Sequence, residues 1–156
     1  MSRRRNPKPR LQSRDPIYKN ILLYIFVIRL MRYGKKSRSY YLMYSILEQI
    51  YKRTKREPLE IIENATRIAT PTVHLKNRRV GGTTYQIPIE VGARHSTIIA
   101  ITWILYASQR RPERNMIIRL SAEIMDSTRG IGTSVRKRET IHRRADANKS
   151  FVRYRF

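Results

Sequence analysis

The side chains able to do acid/base or metal chemistry are few and scattered. His74, His95 and His142 lack the spacing of a metal site. Glu139 precedes His142 by one helical turn, close enough for an acid/base pair, but nothing nearby organises a substrate around the two. In a basic helix, His142 could approach a phosphate, although a packed or exposed histidine is the plainer reading. Glu60 and Glu63 lie three apart on one helix face, where they balance nearby cations rather than form a catalytic pair. Val80-Gly81-Gly82-Thr83 is no phosphate-cradling loop, because no Lys-Ser/Thr pair and no strand–helix context follow it. Cysteine is absent, which removes disulfides, thiolate nucleophiles and the common zinc knuckles. No catalytic residue, cofactor or metal site is expected.

The chemistry on offer is cationic. Thirty-four Lys and Arg stand against eleven Asp and Glu, a net charge of +23 over 156 residues. Solubility alone asks for a magnitude of about 2–8 in a small domain. Such an excess is self-repulsive, and a polyanion relieves it. A membrane is the weaker partner: the most apolar run, Ile21 to Ile28, has eight residues, where a spanning helix needs about 20. The cations collect at the first fourteen residues, at Gly34–Arg38, at Lys76–Arg79, at Arg110–Arg114 and in the C-terminal stretch. Several of these are junctions between helices, where loops and helix N-termini can meet phosphates. Contacts spread over many loops suit a folded RNA read through its phosphates and shape. No groove-reading helix motif is evident, so an architectural DNA binder using a ribbon as a minor-groove arm is the second reading, and an RNA-processing enzyme built on His142 the third. Tyr85, Tyr154 and Phe156 are candidates for stacking on exposed bases.

The elements that must position these cations are mainly helical. Residues 1–14 carry six cations and no acid, interrupted by Pro7 and Pro9, and read as a flexible arm. Helical patterning runs from about Tyr18 to Tyr33 and stops at Gly34. Leu42, Met43, Ile46, Leu47 and Ile50 give a second helix its apolar face, with a basic loop at 52–56 after it. Pro58 opens a third, with Ile61, Ile62, Ala65, Ile68 and Ala69 inward. A fourth, Thr97 to about Arg111, is apolar almost all round and belongs at the centre. A fifth turns Met116, Ile117, Leu120 and Ile124 inward, and a sixth runs from Thr133 or Ser134 to about Lys149. The sixth carries five cations between Arg136 and Arg144 and few apolar residues, so it should lean lightly on the core. Residues 150–156 form a tail. The expected layout is one domain: arm 1–14, helices 15–71, ribbon 72–91, helices 92–149 and tail 150–156.

The ribbon, Lys76 to Val91, reads as two strands joined at Gly81-Gly82. A strict two-residue turn pairs Leu75 with Pro88 and puts Val73 and Leu75 on the opposite face from Tyr85, Ile87 and Ile89. A glycine bulge or an odd loop would gather them on one face, and that arrangement is expected.

RRVGGTTYQIPIEV at 78–91, GKKS at 34–37 and RKRETIHRRADANKSFVRYRF at 136–156, with the SRRR start, resemble the family of ribosomal protein seven of the small subunit in its bacterial and organellar form. SRDPIYKN at 13–20 and RPERNMIIRLSAEIMDSTRG at 111–130 look like its plastid-encoded branch. The sequence departs from the family's usual pattern at Thr102, at Asp146 and at Val152-Arg153. The resemblance implies a helical bundle with a protruding ribbon, and a structural, non-enzymatic role in translation. It implies primary binding of the 3′ major domain of small-subunit rRNA, nucleation of the head, and neighbours in small-subunit proteins nine and eleven. The implied location is the plastid ribosome, with a bacterial cytoplasm or a mitochondrion as the alternative, and no membrane or homo-oligomer is implied. Implied rRNA contacts in the arm are Ser2, Arg3, Arg4, Arg5, Lys8 and Arg10, and in the first junction Lys35, Lys36 and Ser37. In the ribbon they are Lys76, Arg78, Arg79, Gly81 and Gly82. Around the fourth and fifth helices they are Arg94, Arg114, Asn115 and Met116, and towards the C-terminus Lys137, Arg138, His142, Asn148, Lys149 and Arg155. Near exit-site tRNA and mRNA the resemblance puts Arg78, Arg79, Val80, Gly81, Gly82, Thr83 and Tyr85.

Overall fold

The computed structural model describes residues 13–154, so the arm up to Gln12, Arg155 and Phe156 lie outside the described residues. Six helices, α1 (Ile21–Leu30), α2 (Lys36–Thr54), α3 (Pro58–Ala69), α4 (Ala93–Gln109), α5 (Met116–Thr128) and α6 (Thr133–Ala147), surround one core, and an antiparallel ribbon, β1 (Val73–Val80) and β2 (Thr83–Glu90), joins α3 to α4.

The apolar stripes meet as their spacing demands. Leu23, Phe26 and Val27 of α1, Met43, Ile46, Leu47 and Ile50 of α2, Ile62, Ala65 and Ala69 of α3, Ala100, Ile101, Ile104 and Leu105 of α4, and Leu120 and Ile124 of α5 form a single buried cluster. Helix α4 touches α1, α3, α5 and α6, the central place its apolar surface requires.

Helix α1 is shorter than its patterning suggests, for a reason rooted in capping. The Asp15 carboxylate accepts from the amides of Ile17 (3.1 Å) and Tyr18 (2.9 Å), which makes a closed turn rather than a helix start. Asn20 is the true N-cap, its side chain accepting from the Leu22 amide at 2.7 Å. The Tyr44 hydroxyl ties that turn to α2 through Asp15 (3.1 Å); burial and the carboxylate push this phenol up to about 12. At the other end of α2, the helix continues through Lys52–Thr54 and stops where Lys55 takes φ 55°.

The ribbon corrects the expectation of a bulge. Val80 pairs directly with Thr83, Leu75 with Pro88 and Lys76 with Ile87, a strict two-residue turn. Gly81 and Gly82 take φ 58° and 87°, the doubly left-handed turn whose twist matches the flanking strands. The apolar residues therefore do lie on opposite faces, and each face finds separate cover. Tyr85 packs against Phe151 with ring centroids 5.0 Å apart, and Ile87 is buried. Val73 and Leu75 stay half-buried on the other face.

Two further expectations change at the C-terminus. The start of the expected tail is ordered as a 3-10 helix, Lys149–Tyr154, packed on β2. Helix α6 is seated more firmly than its apolar content suggests: Ser134, Val135 and Ala145 are buried, and it packs against α3, α4, α5 and β1. Among the described residues no helix is long and apolar enough to cross a membrane.

Candidate nucleic-acid interface

Two basic junctions far apart in sequence face each other across one cleft. After α1, Tyr33 and Gly34 take φ 52° and 72°, reversing the chain, while the Lys35 amide donates to the Arg32 carbonyl (3.1 Å) and the Lys36 amide to that of Gly34 (2.8 Å). This puts Lys35 and Arg38 on one wall with Arg29 and Arg32 from the end of α1. Arg114 and Arg119, beside the start of α5, form the other wall. The cleft has a volume of about 700 Å³, a floor that includes Leu30, Leu42, Leu105 and Met116, and no acidic residue in its lining.

Six cations around one unbalanced space repel one another, and an anion entering the cleft would be held from several sides. Arg119 is partly engaged, donating to the Glu113 carbonyl. Among the described residues, Arg29, Arg32, Lys35, Arg38 and Arg114 form none of the molecule's ion pairs, which join Lys52 to Glu48 and Arg111 to Glu113, Glu123 and Asp126. The N-terminus of α2 adds to the field: no side chain caps it and no acid sits in its first turn.

Of the expected contacts, Lys35, Arg114 and Met116 line this cleft, and Ser37 is exposed beside it. Lys36 lies over the Tyr24 ring (5.2 Å) and near that of Tyr40 (5.8 Å), a cation–π seat. Asn115 caps α5, accepting from the Ile117 amide at 3.1 Å. Arg94 belongs to a second, shallower groove with Arg14 and Lys19. Lys76, Arg78, Arg79, Gly81, Gly82 and Thr83 are exposed along the ribbon and its tip, and the Arg79 Nε donates back to the Gly82 carbonyl at 3.3 Å, bracing the turn. Tyr85 is already packed on Phe151. The remaining stacking candidates are Tyr154, whose backbone alone is described, and Phe156, outside the described residues like Ser2, Arg3, Arg4, Arg5, Lys8, Arg10 and Arg155.

Three of the basic side chains of α6, those of Lys137, Arg138 and His142, have partners inside the molecule, whereas Arg136, Arg143 and Arg144 are exposed. Lys137 Nζ lies 4.9 Å from the Tyr106 ring centre and 5.6 Å from that of Trp103. Arg138 donates to the Ile68 carbonyl at the end of α3. The Nε2 of His142 accepts from the Thr72 amide at 3.3 Å, at the base of the ribbon. Asn148 ends the helix, its side chain donating to the Arg144 carbonyl (2.9 Å), and Lys149 is exposed just beyond.

Arg29, Arg32, Arg38 and Arg119 complete the cleft without having been among the expected contacts. A signal existed for three of them: Arg29, Arg32, Lys35 and Arg38 recur every three residues through the α1–α2 turn. Also missed was the cluster behind the second wall. Arg111 donates to the fully buried Glu123 carboxylate through Nε (2.9 Å) and Nη2 (2.7 Å), and to Asp126. The other oxygen of Glu123 accepts from the amide and hydroxyl of Ser134, both at 3.0 Å, so a carboxylate of α5 caps α6. Burial works against the Arg111 charge, but the hydrogen bonds and charges of Asp126 and Glu123 outweigh it and hold the guanidinium above its usual range.

Comparison with known proteins agrees with this arrangement. Residues 1–149 match the model of the family described as ribosomal protein S7p/S5e. A relative from Chlorella vulgaris, the small ribosomal subunit protein uS7c, is 46% identical over 156 residues, covering all of both chains. A helical core, a protruding ribbon, unbalanced basic clefts and a family match across nearly the whole length lead to one conclusion: the chain belongs to the ribosomal protein S7p/S5e family.

Proposed function

We propose that the chain is a primary binder of small-subunit rRNA, seating the cleft between the α1–α2 turn and the α4–α5 junction on phosphates of the 3′ major domain and nucleating the head there. As a ribosomal protein of this family it is a structural constituent of the small subunit and takes part in translation. It works in the plastid ribosome, a location supported by the full-length likeness to the Chlorella uS7c. The observation that carries the proposal is the cleft itself: six cations from two junctions, with no acid in its lining. The ribbon extends towards exit-site tRNA and mRNA, with Arg78, Arg79 and the Gly81-Gly82 turn at its end. The C-terminal segment and the arm add contacts, and small-subunit proteins nine and eleven are the neighbours. Binding of the full chain to a 3′ major domain fragment across a salt series tests this. Neutralising about ten phosphates gives a log–log slope near −7 to −9. Equal affinity for duplex DNA of the same length would overturn the proposal in favour of an architectural DNA protein.

A further inference from the structure

Tyr33 is 96% exposed, the most exposed of the large apolar side chains among the described residues. It stands at the rim of the basic cleft, on a backbone with φ 52°, a left-handed region shared here with Lys19 and Lys55 and seldom occupied by residues with a Cβ. The turn holds it there: the Lys35 amide donates to the Arg32 carbonyl across Tyr33 and Gly34, and the Lys36 amide donates to the Gly34 carbonyl just after it. Arg32 and Lys35, its neighbours at one and two positions, line the same cleft. A large aromatic surface held in water beside two cations matches one ligand chemistry: a flat base joined to a phosphate.

We propose that Tyr33 is a stacking platform for one unpaired nucleotide of the bound rRNA, with its phosphate held by Arg32 and Lys35. Duplex does not meet this need, because its bases are already stacked, so the partner at this point is a bulge, loop or junction nucleotide. The inference rests on the proposed rRNA binding and adds to it a base-dependent contact where phosphate attraction alone would be indifferent to Tyr33.

The test uses the full chain with a 3′ major domain fragment. Tyr33→Asn removes the ring while keeping a residue that tolerates left-handed backbone, and Tyr33→Trp keeps a ring. Tyr33→Asn should weaken binding about five- to tenfold with an unchanged salt slope, since no cation is removed. Tyr33→Trp should bind like the native chain, with its added emission quenched by RNA against the constant background of the buried Trp103. Native affinity in Tyr33→Asn overturns the platform and leaves rRNA binding standing. Equal weakening in both variants, with no quenching, assigns the effect to the turn and likewise overturns it. Native rRNA affinity with loss of incorporation into small subunits assigns Tyr33 to a protein neighbour instead. Failure of the native chain to bind the fragment removes both proposals together.

Discussion

Arg111 and Arg114 lie three residues apart between α4 and α5, and they meet opposite environments. Arg111 is turned inward, only 19% of its side chain exposed, against a Glu123 that is not exposed at all. Arg114 faces the cleft among five other cations with no carboxylate in the lining. One arginine is part of the fold's internal polar frame, and the other is available to a ligand. The same division runs through α6, where Lys137, Arg138 and His142 are engaged with Trp103, Tyr106, Ile68 and Thr72 while Arg136, Arg143 and Arg144 are exposed. In so basic a chain, charge alone does not mark a binding residue; what marks it is charge that the protein leaves unbalanced.

The division can be broken hardest from the inside. Glu123→Ala strands the Arg111 guanidinium and uncaps α6 in one step. Removing one partner of a buried ion pair costs about 3–5 kcal/mol, which in a domain of this size lowers the melting temperature by roughly 10 °C or more. Calorimetry of the RNA-free protein reads this directly. A drop of only a degree or two would mean that Arg111 is held by solvent rather than by the cluster. Gly132→Ala probes the same frame by crowding it. An added Cβ would meet Ser127 Oγ at 2.6 Å and Glu123 Oε1 at 3.0 Å, with the Ser127 backbone at 3.1 Å, an overpacking worth about 1–3 kcal/mol. Unaltered stability would show that the turn into α6 yields easily.

Breaking the outer half should leave stability alone and change binding. The double variant Lys35→Ala/Arg38→Ala removes two cleft cations without a hydrogen-bonded side-chain partner of their own. Its melting temperature should match the native chain's, as expected for surface changes within about 0.5 kcal/mol. Its salt slope on the rRNA fragment should fall by about 1.5 units, near 0.7–0.9 for each phosphate no longer neutralised. An unchanged slope would remove the cleft from the interface.

How far the sequence discloses this division depends on periodicity. Apolar spacing reports helices faithfully, so the six helices and the ribbon are legible from Leu42–Ile50, Ile61–Ala69 or the Gly81-Gly82 pair. Exact ends are less so: α1 begins at Ile21 because Asp15 folds into a local turn, a competition between two side-chain acceptors that composition does not rank. The bulge expected in the ribbon assumed one covering surface, whereas the C-terminal 3-10 helix supplies a second. The cleft is half legible. Its loops announce themselves through Gly34-Lys35-Lys36 and Arg114, but their meeting across a common floor is a tertiary fact. Glu123 was open to notice, lying between Leu120 and Ile124 on the buried stripe where a lone acid demands a partner.

Arg138 offers the finest test, because family resemblance and geometry pull it in different directions. The resemblance assigns it to rRNA. The structure gives its guanidinium to the Ile68 carbonyl at the end of α3, where a cation also complements the helix dipole. If that bond persists in the complex, Arg138→Ala should cost stability by about 1 kcal/mol, seen as a melting shift of a few degrees, and leave the salt slope within error of native. That is the reverse of the pattern for Lys35→Ala/Arg38→Ala. A slope reduced by most of a unit with native melting would instead mean that Arg138 leaves Ile68 for a phosphate on binding. Its half-buried position favours the first outcome: the guanidinium would have to give up a charge-assisted bond to reach an RNA that the exposed Arg136, two residues earlier, can meet at no such cost.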